Sequence, residues 1–293
     1  MTLFGCVCVL HTRLFYMQVI FVRHAQSINN VIQEGLTRAD FESKRSHDAD
    51  LSELGFKQAD QLGKGIERSL IKRRGPRARE LLKKSGQTGK APRVHVAVSP
   101  MKRTLLTSIP MIGKLQEMHD RSEIVLAEIE INPFIFEVGG CYNEKDGIFV
   151  GHPGMSGTEA KQFLPMAKIH DEMKNGWWPH ATKESEEQFE ARVVKTMEWI
   201  KKMACSGTRD VLIIVSHQDF ASTCMRRLAE VQGINWLYNT SLSALTLIPI
   251  DHSEADPEAT QTSSDGTIRD LHHCRVVIDW INSVDHLSLD NIF

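Results

Sequence analysis

Val211-Leu212-Ile213-Ile214-Val215 is an unbroken apolar run, mostly β-branched and opened by Asp210. A run of that kind reads as a strand buried on both faces, the condition of a parallel sheet held between layers of helix. Val19-Ile20-Phe21-Val22, near the start of the chain, has the same character. Each run stops at a polar pair, Ser216-His217 and Arg23-His24, and a helix is expected within a few residues of both. Ligands meet an open α/β sheet at the carboxyl ends of its strands. An Arg beside a His at such an end suits an anion. The guanidinium forks onto phosphate oxygens, and a neutral imidazole can act as a nucleophile.

The rest of the chain alternates in the same way. Ser52 is a fair helix N-cap, with Phe56, Ala59, Leu62, Ile66 and Leu70 at helical spacing behind it. Val94 to Val98 alternates into a second strand that ends at Ser99-Pro100. Pro100 suits a first helical turn, and Lys102 to Leu115 continues as a helix kinked or broken at Pro110. Ile124 to Ile131 is a third strand, carrying Glu128 and Glu130 on one face. Phe189, Val193, Met197, Ile200 and Met203 form a helical stripe, and a further helix spans about Asp219 to Val231. Late strands at Leu242 to Ile250 and Arg275 to Ile281 flank an acidic, Ser/Thr-rich loop, Asp251 to Asp270. The pattern predicts an α/β fold: a three-layer α/β/α sandwich whose central sheet is mostly parallel, with helices on both faces.

One domain is expected over 17–293, with 1–16 as an extension. Residues 141–181 read as an insertion folded over the active edge: a Gly-rich loop, a helix from Thr158 to Met173, and a rigid turn at Trp177-Trp178-Pro179. Gly hinges and an aromatic wall would suit a lid, and a plain surface excursion is the competing reading.

Composition narrows the function. With 41% hydrophobic and 25% charged residues and a net charge of -2, the chain is ordinary globular protein, with no pull toward nucleic acid or anionic membrane. Phe4 to Leu10 is apolar but far too short to span a bilayer. The cationic stretch Lys64–Arg93 lacks aromatic residues for base stacking and reads as a solvated loop. Gly86 to Lys90 fails as a phosphate loop, because Ala91 follows the lysine where Ser or Thr is needed. Six scattered cysteines without a Cys-x-x-Cys pair read as free thiols in a reducing, cytoplasmic setting. Neither His272-His273-Cys274 nor His47-Asp48 has zinc-ligand spacing, so no metal and no cofactor is expected.

Three segments together resemble one family. Arg23-His24-Ala25-Gln26-Ser27 with Asn30, Ser99-Pro100-Met101-Lys102-Arg103-Thr104 with Thr107, and Val215-Ser216-His217 occur in the order of the histidine phosphatase (phosphoglycerate mutase-like) superfamily. The chain departs from that family's Arg-His-Gly-Glu motif at Ala25 and Gln26. The resemblance implies a phosphomonoesterase that works on a small phosphorylated substrate through a phosphohistidine at His24. Arg23, Arg103 and His217 would hold the phosphate, and Asn30 and Gln218 would complete the substrate-binding set. In the branch most similar to this chain, the proton donor is a Glu just before Gly-Gly, which points to Glu137; Glu128 and Glu130 are rivals. Mutase-type transfer between phosphoglycerate isomers is the variant activity. A catalytically idle fold that binds partners through Lys64–Arg93 is the reading from another class.

Overall fold

In the structure, a computed structural model describing residues 16–71, 90–250 and 274–292, the first apolar run becomes strand β1 (Met17–Arg23), buried along its whole length. Short helices α1 (Ile28–Gln33) and α2 (Arg38–Lys44) follow, then the long α3 (Glu53–Ile71). Next come β2 (Arg93–Val98), α4 (Lys102–Asp120) and β3 (Val125–Ile131). A hairpin of β4 (Tyr142–Lys145) and β5 (Ile148–Gly151) leads to the two-residue β6 (Lys168–Ile169). The chain continues through α5 (Glu186–Ser206), β7 (Val211–Ser216), α6 (Gln218–Leu228), β8 (Leu242–Pro249) and β9 (Cys274–Ser283).

Seven strands form one sheet in the order β6-β3-β2-β7-β1-β8-β9. From β6 to β1 each strand runs parallel to the next, β8 is antiparallel to β1, and β9 is antiparallel to β8. Successive side chains of a strand face opposite ways. Ile20, Val22, Ile213 and Val215 accordingly pack with α3 and α4 on one face. Val19, Phe21, Leu212 and Ile214 pack with α5 and α6 on the other. This is the three-layer α/β/α sandwich that the alternating pattern predicts.

The Ser52 hydroxyl accepts the Gly55 N–H at 3.0 Å and so caps α3. Ala59, Leu62, Ile66 and Leu70 are buried, whereas Phe56, the first member of the expected stripe, is exposed. Helix α4 differs from expectation. It runs through Pro110 to Asp120, because losing one backbone bond is outweighed by burial of Leu105, Met111, Ile112, Leu115 and Met118 around the proline. Pro100 precedes the capping residue Met101 instead of occupying the first turn.

The helix expected over Thr158 to Met173 is absent. One turn at Gly157–Ala160 is followed by β6 and a 3-10 turn at Asp171–Met173. Pro165 lacks an N–H and disfavours helical geometry at Leu164, which stops the helix. Ala160, Leu164 and Ala167 still bury themselves in the core on the α3/α4 face. Trp177 and Trp178 are core residues as well, their rings 5.0 and 5.4 Å from that of Phe136.

Cys141, Cys205, Cys224 and Cys274 carry free thiols, and the Cys205 and Cys274 sulfurs lie 3.7 Å apart. Among the described residues no helix is long and apolar enough to cross a membrane. The apolar run Phe4 to Leu10, the Asp251 to Asp270 loop and His272-His273 lie outside the described residues, as does most of the cationic stretch and of the 1–16 extension.

Candidate active site

Strands β2, β7 and β1 are neighbours at the centre of the sheet, and Ser99, His217 and His24 directly follow their carboxyl ends. Backbone bonds carry the ladder past the strands: His24 N–H to the Ser216 carbonyl at 2.9 Å, and Ser99 N–H to that of Val215 at 3.0 Å. Because Arg23 pairs with Ser216, the two histidines stand level, ring centres 5.1 Å apart. Arg103, on the first turn of α4, donates from Nε to His24 Nε2 at 3.2 Å.

That bond and one other fix the state of His24. Its Nδ1 lies 2.7 Å from the Ala25 carbonyl oxygen. A carbonyl only accepts, so Nδ1 carries the hydrogen and Nε2 keeps its lone pair. Burial, then Arg103 and Arg23, hold the imidazole pKa well below its ordinary value. His24 is therefore neutral at pH 7, with Nε2 as a free base apart from the Arg103 contact. His217 is also buried, its pKa lowered by burial and then by Arg103. Its Nε2 is 2.8 Å from the Ser99 hydroxyl.

The loop after β1 is built tightly around the pair. Ala25 N–H donates to the Thr107 hydroxyl at 3.0 Å, and Gln26 N–H to Gln58 Oε1 at 2.8 Å. Gln26, one of the two departures from the family motif, accepts the Ser52 hydroxyl on its side-chain oxygen at 2.6 Å. A Cβ at position 55 would run into the Gln26 carbonyl, so the start of α3 can approach this closely only with glycine there.

Among the described residues, three buried nitrogens around His24 have no hydrogen-bond partner: Arg23 Nε, Arg103 Nη1 and His217 Nδ1. Arg23 donates from Nη1 to the Leu237 carbonyl, and burial lowers its pKa to about 10. Orphaned buried donors are costly in a folded protein. Two of the three belong to arginines, so an anion is the ligand this group of side chains suits.

Two residues expected at the substrate are engaged in holding loops. Asn30 Oδ1 accepts the Ser27 N–H at 3.0 Å in a reciprocal capping box at the start of α1. The Gln218 amide donates to the Asn235 carbonyl at 2.8 Å and accepts the Leu237 N–H at 2.9 Å. Each therefore fixes a segment that borders the site.

Glu137 sits against the first turn of α6, accepting N–H groups from Val138, Asp219 and Phe220 at 2.9, 3.3 and 3.1 Å. Burial, reinforced by Asp219, raises its pKa, while the backbone donors and Arg103 pull it back. Glu128 and Glu130 belong to a different cluster. Their carboxylates flank His95 at 3.6 and 3.4 Å, and they pair further with Lys168 and Arg209, and with His170. Those partners hold the Glu130 carboxyl far below the usual range, against the effect of its burial.

Two site residues have no role assigned from the sequence. The Ser99 hydroxyl engages His217, and Asp48, in a polar loop, accepts the Lys102 N–H at 2.9 Å. Burial pushes the Asp48 carboxyl up to about 6, with Arg103 pulling it down. Among the described residues no group of three or more His, Cys, Asp or Glu side chains is placed to hold a metal ion.

No family model and no curated protein matches this sequence. Several solved structures are similar over most of its length. A mycobacterial hydrolase, "hydrolase 2", is 15% identical, with 95% of each chain covered and a TM-score of 0.47. A phosphoserine phosphatase mutant from Entamoeba histolytica, in complex with phosphoserine, is 13% identical over 93% of this chain and 100% of its own, with a TM-score of 0.46. The ecdysone phosphate phosphatase of Bombix mori, in complex with tungstate, is 16% identical over 78% of this chain and 88% of its own, with a TM-score of 0.45.

Proposed function

We propose that the protein is a phosphomonoesterase that works through a covalent phosphohistidine, in the manner of the histidine phosphatases. The observation that carries this reading is the neutral His24, its Nε2 lone pair kept, beside Arg23, Arg103 and His217, each with a buried nitrogen that has no hydrogen-bond partner. In the first step the Nε2 lone pair attacks phosphorus and the P–O ester bond breaks. Glu137, protonated, gives its proton to the leaving alkoxide. In the second step water attacks phosphorus, its proton passes to the Glu137 carboxylate, and the N–P bond breaks. Inorganic phosphate leaves and His24 is neutral again. Arg23, Arg103 and His217 hold the equatorial oxygens throughout. With two guanidinium groups supplying positive charge, the reaction needs no metal. Hydrolysis is favoured over mutase transfer, because Gln26 stands where the family motif has Glu and its side-chain oxygen accepts the Ser52 hydroxyl.

Rapid quench of chelator-dialysed protein with labelled substrate should trap an acid-labile, alkali-stable phosphoenzyme, absent in His24→Ala. A phosphoenzyme that persists in His24→Ala would place the nucleophile elsewhere. For the acid, Glu137→Gln should lose roughly a hundred- to ten-thousand-fold in rate on alkyl phosphates, and far less on nitrophenyl phosphate, whose leaving group hardly needs a proton. Asp48 is the rival, through its raised pKa beside Arg103. If Asp48→Asn shows that leaving-group dependence instead, the proton comes from there.

A further inference from the structure

Arg23 has a neighbour with no part in the steps above. The Trp236 ring centre lies 5.3 Å from the Arg23 guanidinium carbon, and the residue is 62% exposed. An exposed tryptophan on a loose loop would mean little, but this segment is pinned. Ile234 and Leu237 are buried in the core on the α5/α6 face. Arg226 donates to the Ile234 carbonyl and to Asn235 Oδ1 at 3.3 and 3.0 Å, and Gln218 grips Asn235 and Leu237. Asn239 Nδ2 and Thr240 N–H then bond the backbone carbonyl of His24 itself, at 2.9 and 3.3 Å. The indole is thus held out into solvent by a backbone tied to the nucleophile.

In-line displacement places the leaving oxygen opposite the attacking Nε2. His24 lies buried at the base of the site, so the organic group of a bound ester points outward. Arg23 has a buried Nε without a partner to offer the phosphate, and its guanidinium carbon lies over the indole ring, which puts Trp236 at the rim of that exit. We infer that Trp236 is a specificity-determining residue on which the substrate's organic group stacks, and that the preferred phosphomonoesters carry a flat aromatic or conjugated group next to the ester oxygen. Such a group offers a face to the indole, whereas a short alkyl or polyol group does not. This rests on the phosphomonoesterase reading, and binding of compounds that cannot be hydrolysed separates the two.

The probes are naphthylmethylphosphonate and methylphosphonate, titrated calorimetrically into the wild type, Trp236→Phe and Trp236→Ala. The quantity read is the ratio of their Kd values. It should favour the aryl compound by roughly tenfold in the wild type, the range expected of one stacked ring. Trp236→Phe should keep most of that preference and Trp236→Ala should lose it. A ratio unchanged in Trp236→Ala overturns the inference. So does a parallel loss of both affinities with the ratio intact, since Trp236 would then merely prop Arg23. If the ratio behaves as expected while naphthyl phosphate is not hydrolysed, the stacking site stands and the catalytic reading falls.

Discussion

His24 is buried and Asp48 half-buried near Arg103, and loss of hydration moves their proton affinities in opposite directions. It drives each toward neutrality: the imidazole loses its proton and the carboxyl keeps one, with Asp48 raised to about 6. The consequences for stability are opposite too. An imidazole with a lowered folded pKa contributes stability that is present above its unfolded pKa near 6.5 and lost as pH falls below that value. Asp48, with a folded pKa above the unfolded 3.8, favours the fold at low pH and loses that contribution as pH rises through about 6. Asp48→Asn, which cannot ionise, should therefore gain relative to the wild type between pH 4 and pH 8, by on the order of 2 kcal/mol. Urea unfolding at the two pH values measures it; a difference that is flat or of opposite sign would show that Asp48 is ionised in the fold. His24, Arg23 and His217 were legible because each stands at or just past the carboxyl end of an apolar run, whereas Arg103, on the first turn of α4, was pointed to by the resemblance of its segment. Asp48 has no such landmark. It reaches Arg103 only because its loop is folded back onto α4.

At the scale of elements, the turn after Glu137 shows how local chemistry positions the proposed proton donor. Gly140 has φ +78, where an L side chain is strained, and a Cβ there would run into the buried Trp178 indole. Gly140→Ala should cost about 3–5 kcal/mol, from positive-φ strain plus overpacking. It should also slow turnover, because the Gly140 N–H closes the turn onto the Glu137 carbonyl at 3.1 Å. Gly147 is the control, with φ +79 and open space around it. Gly147→Ala should lose only about 1–2 kcal/mol and leave turnover intact, as thermal unfolding and steady-state rates would record. Comparable losses at both positions would remove Trp178 from the explanation. The same insertion marks where elements were hard to read. The spacing of Ala160, Leu164 and Ala167 fits a helix, but Pro165 breaks it, and the three side chains reach the core from an irregular backbone instead. At Pro110 the opposite happened, and packing carried α4 through a residue that propensity disfavours.

For the molecule as a whole, the strand order sets what the site can withstand. The three strands that deliver Ser99, His217 and His24 are central, with β6 and β3 outside them on one side and β8 and β9 on the other. A tetrahedral oxyanion bridging their ends links elements far apart in sequence, so vanadate at a hundred times its Kd should stabilise the fold by about 2.7 kcal/mol. The matching rise in Tm is several degrees. His24→Ala should keep this response, since it retains the donors, and Arg103→Ala should lose most of it; an equal shift in all three proteins would place the anion elsewhere. The layout of the sheet was readable from alternating apolar runs, but its order was not, because which runs become neighbours is decided by crossovers that leave no local mark. That order has a kinetic meaning. The outermost strands are the two-residue β6 and the half-buried β9, and a sheet opens from its ends. Partly opened forms that have shed either edge still hold the central three strands in register. Heat inactivation of this protein is then expected to measure global unfolding, and amide protons at the ends of β2, β7 and β1 should be among the last to exchange with solvent.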